Sequence, residues 1–412
     1  MTESGPLRIG FVGTGFVAGF HLLAFEAVRN SVIAGVYSPH RQRRDAFAER
    51  VNGRGLGPCR AYDSLHEMIL SGEIDALWLL APNDTRLAQL TDIAEVANSG
   101  NTALAAVACE KPLARNLAEA RQMVSLIEEA HLLHGYLENQ VFAPAVRRAK
   151  ELLWQRAVPS AGRPYLVRAA EEHSGPHEEW FWQTERQGGG AMLDMMCHSV
   201  ETGRFLLTEP GAERSTLSPT AAQAYVARLR KSEPAAVGGP GSRPDPPRPS
   251  TRAEDYAHRA VTFADAGGAT ALVEASSSWS YVGAGLRIVI EIHGPEYSPE
   301  LSTLRTGLQL FLSRAISTPE GEDMVEKQNA EHGLMPVVED EAASYGYVAE
   351  DRHMVESFLA GRPPEETFYD GMAVVELLMA LYKSSETSCR LELPDATLSS
   401  FVPSFSQVTS TH

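Results

Sequence analysis

Residues 7–18 read Leu7-Arg8-Ile9-Gly10-Phe11-Val12-Gly13-Thr14-Gly15-Phe16-Val17-Ala18, and this stretch decides the fold. Leu7–Val12 is a short apolar run, the pattern of a buried strand. Gly13-x-Gly15-x-x-Ala18 follows directly and opens a helical stretch that runs to about Val28. Gly13 permits a tight turn, Gly15 lets a pyrophosphate approach the backbone, and Ala18 permits close helix–strand packing. The helix N-terminus adds N–H groups and a partial positive charge. Between a strand and a helix, the pattern predicts a dinucleotide site with Gly13, Gly15, Phe16 and Val17 among its contacts.

Outward from this turn, strands and helices alternate. Residues 31–38 read as a strand and 41–51 as a helix. Residues 74–81 form an apolar run closed by Pro82-Asn83, followed by a helix over 86–99. A strand over 102–109, a helix over 117–131 and a strand over 134–138 complete the series. Strands apolar throughout, separated by helices, imply a parallel sheet covered on both faces. This places a dinucleotide-binding domain at residues 1–138. The remainder has another character. A helix over 142–155, a strand over 164–173, a glycine-rich aromatic loop and a helix over 191–207 lead into strands at 257–264, 269–278 and 286–293. Adjacent strands suggest an antiparallel or mixed sheet, closed by helices over 349–360 and 371–387. The second domain is expected over 139–395, with a Pro/Gly-rich exposed insert at 232–252 and a tail at 396–412.

Composition narrows the function classes. The chain has 412 residues and a formal net charge of -17, which disfavours polyanionic partners, both nucleic acid and anionic membrane. Of 36 basic residues only Lys111, Lys150, Lys231, Lys327 and Lys383 are lysines, leaving 36 - 5 = 31 arginines. Four cysteines, Cys59, Cys109, Cys197 and Cys389, stand far apart without a CxxC pair, so neither a disulfide framework nor a zinc site is indicated. The first ten residues lack the basic and apolar regions of a signal peptide. No run approaches the roughly 18 apolar residues of a membrane span. The expectation is a soluble cytoplasmic protein.

Three motifs carry chemistry. The second strand ends in Tyr37-Ser38-Pro39-His40-Arg41, without the acid that holds the ribose hydroxyls of NAD. Ser38, His40 and Arg41 would suit a 2′-phosphate, which favours NADP over NAD; the other reading is that the arginines only begin an exposed helix. Glu110-Lys111-Pro112 ends a predicted parallel strand, where ligand crevices open in such sheets. Gly188-Gly189-Gly190 precedes Ala191-Met192-Leu193-Asp194-Met195-Met196-Cys197-His198. The glycines would let a loop pass close to a ligand, and Asp194 and His198, at i and i+4, share one face of an otherwise apolar helix. The pair is either an internal acid–imidazole contact or a reactive one. No metal is expected, because His173, His177, Glu178 and Glu179 have no recognised ligand spacing with it. His173, His177, Trp180 and Trp182 are substrate-pocket candidates, with core packing the alternative for the tryptophans.

Together the glycine-rich start, Glu110-Lys111-Pro112 and the Gly-Gly-Gly…Asp194…His198 stretch resemble the Gfo/Idh/MocA family of oxidoreductases, over most of the chain. Pro82-Asn83 resembles the family's cofactor-contacting loop, Asn139 with Phe142-Ala143-Pro144 its interdomain link, and Gly361-Arg362-Pro363 with Asp370-Gly371 its C-terminal pattern. Arg86 stands where the family often has histidine. The resemblance implies an N-terminal Rossmann domain and a C-terminal α+β domain with an open, mostly antiparallel mixed sheet, through which members form dimers or tetramers. It implies NAD or NADP as cofactor, with Gly13, Gly15, Phe16, Val17, Ser38, His40, Arg41, Pro82, Asn83, Glu110 and Lys111 placed to bind it. It assigns Lys111, Asp194 and His198 to the catalytic set. The implied activity is hydride transfer between nicotinamide and a secondary alcohol or ketone of a sugar, cyclitol or glycoside. The same residues would serve an NAD-dependent glycosidase acting by oxidation, elimination and reduction, and the fold also serves non-catalytic dinucleotide sensors.

Overall fold

The computed structural model describes residues 5–229, 253–312, 333–404 and 409–410; the expected insert at 232–252 and part of the expected tail lie outside them. Contacts divide the chain into two units, residues 1–150 with 340–376, and residues 151–339 with 377–412.

The first unit is built on a six-stranded sheet. Its strands are β1 (Leu7–Val12), β2 (Ser31–Tyr37), β3 (Arg60–Tyr62), β4 (Ala76–Leu79), β5 (Ala106–Glu110) and β6 (Leu133–Leu137), in the order β3-β2-β1-β4-β5-β6. Every pairing is parallel, which is the doubly wound Rossmann order. The connecting helices are α1 (Phe16–Ala24), α2 (Arg41–Gly53), α3 (Leu65–Leu70), α4 (Asn83–Asn98) and α5 (Leu117–Glu129). Ser64 and Asn116 cap α3 and α5, accepting hydrogen bonds from the amides of Glu67 and Glu119. Both acceptors sit at the N-cap, where an otherwise orphaned helix N–H needs one.

The sequence reading expected one linear boundary at 138, with residues 139–395 in the second domain and a tail at 396–412. Instead the Tyr347–Leu359 helix belongs to the first unit. Its Met354, Val355 and Phe358 are buried in the same cluster as Phe11, Phe25 and Trp78. Trp78 meets Phe358 edge to face, with ring centroids 5.9 Å apart.

A buried ionic contact reinforces that packing. The His21 ring on α1 has no exposed surface; Nδ1 lies 2.9 Å from each carboxylate oxygen of Asp351, and Nε2 lies 3.1 Å from Glu110 Oε1. Trp78 Nε1 donates to Asp351 Oδ1 at 2.9 Å, and the Lys111 amide donates to Glu110 Oε2 at 2.9 Å. Burial opposes a charged ring, yet Asp351 and Glu110 outweigh it and hold the His21 pKa at about 9. Burial likewise opposes ionisation of Glu110, and His21, Lys111 and Arg86 together bring it below the usual carboxylate range. Next to Asp351, Glu350 is pushed well above that range by burial and by the charges of Asp351, Glu110, Glu138 and Glu366. His21, Glu350 and Asp351 place ligand atoms within 4.8 Å of one another. A metal bound there would have to displace the ring's contacts to Glu110 or Asp351.

The second unit carries an eight-stranded sheet. Its main strands are β7 (Leu166–Glu172), β8 (Leu217–Arg228), β9 (Tyr256–Asp265), β10 (Thr270–Ser278), β11 (Arg287–His293) and β12 (Glu300–Ser302), in the order β12-β11-β7-β10-β9-β8, with Leu391–Glu392 beyond β8 and Thr409–Ser410 also pairing with it. The β7–β10 pair is parallel, as is Thr409–Ser410 with β8, and the others are antiparallel. The long β8 carries no strand signal in the sequence: Pro219 lies near its start among small residues. The register shift between Pro219 and Ala221 accommodates that proline. The Ala191–Leu207 helix, buried at every position, packs on β7 and β10.

The His21 contact generates a stability prediction. Its folded-state pKa lies above the unfolded value. The stabilisation is therefore complete below about pH 6.5 and is lost as pH rises through about 9, an effect of about 3 kcal/mol. His21→Gln is expected to lower the denaturation midpoint at pH 6, and the gap to wild type should narrow by pH 9.5. A gap of the same size at both pH values would show that His21 is neutral in the folded protein.

Candidate active site

The first unit gathers its expected cofactor residues at one edge of the sheet. Because the strands are parallel and Val12 is level with Tyr37 and Leu79, and Leu79 with Cys109, the chain leaves β1, β2, β4 and β5 on the same side. Gly13 has φ +117°, and a Cβ there would stand 2.8 Å from the Leu80 carbonyl. Gly13 is thus glycine for two local reasons. Gly15 is different: a Cβ there would meet nothing within 4 Å. Packing within the chain does not require this glycine, and the space beside it would admit another group's phosphates. The N-cap of α1, Gly15, has no side chain to offer, and the first turn holds no acid, which suits an anion. These residues fit a dinucleotide. Phe16 is 56% exposed beside the turn, whereas Ala18 is fully buried.

At the end of β2, Ser38 is buried, while His40 and Arg41 are exposed at the start of α2. Arg41 lies 3.5 Å from Asp45, one turn on. Arg44 is engaged internally, donating to the Ser38 carbonyl and to Asp63. Pro82 is the N-cap of α4, and Asn83 is buried behind it.

Glu110-Lys111-Pro112 leaves β5 through a cis peptide between Lys111 and Pro112. Lys111 is half-buried. The backbone on both sides of it is held by a residue the sequence reading did not place in the site. Arg86 is buried on α4; its Nε donates to the Ala81 carbonyl at 2.9 Å and its Nη1 to the Glu110 carbonyl at 2.6 Å and to the Pro112 carbonyl. One guanidinium thus joins the ends of β4 and β5. Its departure from the family's histidine was the available signal, but the partners are 5, 24 and 26 residues away, beyond any local pattern.

In the second unit, Asp194 and His198 are both buried on the Ala191–Leu207 helix. The three glycines before it have causes inside the unit. Gly188 has φ +90°. A Cβ at Gly189 would stand 2.1 Å from the Tyr382 hydroxyl, and one at Gly190 would stand 2.1 Å from the Glu254 carbonyl oxygen. Gly189 and Gly190 are thus accounted for by close packing against Tyr382 and Glu254, neither of which the sequence reading placed near the site.

The substrate candidates divide. His173 is buried, and its Nδ1 accepts from the Gly175 amide at 2.9 Å. Trp182 packs against Trp279, with centroids 4.9 Å apart, in a cluster with Ala191, Met195 and Ala253. His177 is exposed, and the half-buried Trp180 lies with its ring centroid 3.9 Å from that of Phe181.

Comparison with known proteins agrees with this geometry. The family model described as "Oxidoreductase family, NAD-binding Rossmann fold" matches residues 7–136, and that of the "GFO/IDH/MocA C-terminal domain" matches residues 146–298. The chain is 26% identical over 216 residues to 1,5-anhydro-D-fructose reductase of Ensifer adhaerens, covering 52% of this chain and 60% of that protein. It is 26% identical over 300 residues to levoglucosan dehydrogenase of Pseudarthrobacter phenanthrenivorans, covering 71% and 72%. Among solved structures, GenD2 from gentamicin A biosynthesis in complex with NAD superposes with a TM-score of 0.74 at 23% identity, over 96% of this chain and 98% of that one. The matches to three curated relatives span only 55–65% of their lengths. Both matches are to models of one family, the first over the six-stranded sheet and the second over most of the larger one, and the chain belongs to the Gfo/Idh/MocA family of NAD-binding oxidoreductases.

Proposed function

We propose that this protein is an NAD(P)-dependent dehydrogenase or reductase acting on a secondary alcohol or ketone of a sugar, cyclitol or glycoside. The observation that carries the reading is the retention of Glu110-Lys111-Pro112 at the cofactor edge of a Rossmann sheet, in a chain whose second unit buries Asp194 and His198 on one helix. Relatives bearing the names of an anhydrofructose reductase, an inositol dehydrogenase and a levoglucosan dehydrogenase support the substrate class.

Bound nicotinamide supplies the site that accepts or returns hydride. The rest falls to the chain. His198 takes the proton of the reacting hydroxyl in oxidation and returns it in reduction, work suited to imidazole near neutral pH. Lys111 donates to the reacting oxygen and stabilises its developing negative charge. Asp194 orients the substrate hydroxyl and favours the protonated state of His198. Among the pocket candidates, His177 is exposed and Trp180 and Trp182 are half-buried, leaving surface to offer a sugar, while the buried His173 supports the loop through the Gly175 amide.

For the cofactor we favour NADP. No acid stands at the end of β2, and the exposed Arg41, with His40 and Ser38, is the reader of a 2′-phosphate, since Arg44 is committed to Asp63. Four free cysteines fit a reducing compartment, and we assign the enzyme to the cytoplasm. The outer face of the large sheet, where Tyr225 is 49% exposed, is the surface through which we expect a homodimer or homotetramer.

His198→Ala and Lys111→Ala are each expected to lower kcat by about 10²-fold or more, measured by nicotinamide absorbance with levoglucosan, myo-inositol and D-xylose as trial substrates. Near-wild-type turnover in both variants would overturn the catalytic assignment. In fluorescence titrations Arg41→Asp should weaken NADPH binding about tenfold and leave NADH binding unchanged; equal NADPH affinity in variant and wild type would remove Arg41 as the phosphate reader. Sedimentation velocity showing a monomer at micromolar concentration would exclude the oligomer.

A further inference from the structure

We propose that Glu254 is a positioning residue for Asp194 and His198: its carboxyl, tied to Tyr382, fixes the first turn of the helix on which both stand. The inference rests on the catalytic roles proposed for those two residues.

The contact is made by one oxygen. Glu254 Oε1 accepts from the Gly190 amide at 3.0 Å, the Met192 amide at 3.1 Å and the Tyr382 hydroxyl at 2.7 Å. The Glu254 backbone carbonyl accepts from the Ala191 amide at 3.0 Å, and the Tyr382 hydroxyl also accepts from the Gly190 amide at 3.2 Å. These are the N–H groups that a helix leaves without intrahelical partners. In most helices a short polar N-cap side chain meets them. Here the N-cap is Gly190, with no side chain to offer. Glu254, 64 residues away along the chain, takes that part. Gly189 and Gly190 are the complement of the arrangement, because a side chain at either would collide with Tyr382 or Glu254. The Asp194 amide bonds to the Gly190 carbonyl at 3.0 Å. The position of Asp194 is therefore one hydrogen bond removed from the residue that Glu254 holds, and His198 lies one turn further along.

Glu254 has no exposed surface, and its Oε2 has no hydrogen-bond partner among the described residues. Burial outweighs the four bonding groups and pushes its pKa up to about 7. Tyr382, pushed well above its ordinary value by burial and by Glu254, stays protonated and donates. Other ionisable neighbours are Asp255, next in the chain and accepting from the Leu229 amide, and Asp194 in the first turn of the helix. The clamp thus changes charge near neutral pH, with the proton taken up on Oε2. Below that point the carboxyl accepts more weakly from the two amides; above it, a full negative charge caps the helix and holds the turn more tightly.

The test uses the full-length protein with Glu254→Gln, which keeps the shape and the acceptor but not the charge, and Tyr382→Phe, which keeps the ring. Hydrogen exchange at pH 8 should be faster over residues 190–198 in both variants, while NADPH affinity stays within twofold of wild type. With whichever of levoglucosan, myo-inositol and D-xylose wild type turns over best, kcat should fall about tenfold in each variant. The double variant should be no worse than either single one. Wild-type stability should decline as pH rises from about 4.5 to 7, because the folded state holds the Glu254 proton longer; Glu254→Gln should lose that contribution, and its kcat profile should lose an ionisation near pH 7. Unchanged exchange over 190–198 together with an unchanged pH profile in Glu254→Gln overturns the inference, and if that variant does not fold, Tyr382→Phe decides by the same exchange measurement. His198→Ala separates the two levels: inactive His198→Ala beside wild-type-like Glu254→Gln sinks the positioning role alone, whereas active His198→Ala sinks the catalytic reading on which it rests.

Discussion

A protonated imidazole with no exposed surface, held between two carboxylates, organises the first unit. His21 comes from the helix that follows the glycine turn, Glu110 from the end of β5, and Asp351 from a helix more than 200 residues further on. A charge in so dry a place is costly unless paired and hydrogen-bonded. Each of the three groups therefore fixes the others, and their elements with them. The same Glu110 that receives His21 through one oxygen receives the Lys111 amide through the other. The backbone that presents Lys111 is thereby tied to the helix at the dinucleotide turn. Arg86 does the same work from the opposite side, through carbonyls instead of a carboxylate. The backbone at Lys111 is therefore held on both sides, by Glu110 Oε2 and by Arg86, before any ligand arrives.

Both units solve a common problem by remote means. A helix that begins on glycine, as α1 and the Ala191–Leu207 helix both do, has no side chain of its own to meet its first amides. In the first unit a Cβ at the N-cap Gly15 would meet nothing within 4 Å, room that the proposed dinucleotide would use. In the second the amides of Gly190, Ala191 and Met192 meet Glu254. Two glycine-rich turns of similar appearance thus differ: one leaves space beside Gly15, and the other closes upon its own chain.

That contrast marks how far the sequence could be read. Strand–turn–helix alternation and unbroken apolar runs made the Rossmann sheet legible, because its order follows from local pattern and the handedness of parallel crossovers. The Ala191–Leu207 helix was legible to the residue for the same reason. The pattern weakened where strands are short or interrupted: β3 has three residues, and β8 begins around a proline and small side chains. What failed was whatever depends on distant contacts. His21 meets Asp351 across 330 positions, and Glu254 meets Tyr382 across 128; nothing near either residue announces its partner. The glycine triplet was read as passing close to a ligand, whereas the close neighbours that the structure shows for Gly189 and Gly190 are Tyr382 and Glu254.

The uneven use of basic residues takes on meaning from these contacts. Arginine outnumbers lysine 31 to 5, and several buried arginines act as braces. Arg86 spans three carbonyls, Arg44 joins Ser38 to Asp63, and Arg204 and Arg214 share Glu201. Each use exploits a planar fork with several fixed donors. Lys111 stands within two residues of carbonyls that such a fork already grips. A second guanidinium there would compete for the same acceptors and, in the role proposed for Lys111, crowd the reacting hydroxyl. An ammonium is compact, takes its donors wherever the stem points, and leaves the carbonyls to Arg86. In this chain, then, lysine at 111 is a choice of shape made against the prevailing composition: the braced backbone supplies rigidity, and the small cation supplies reach.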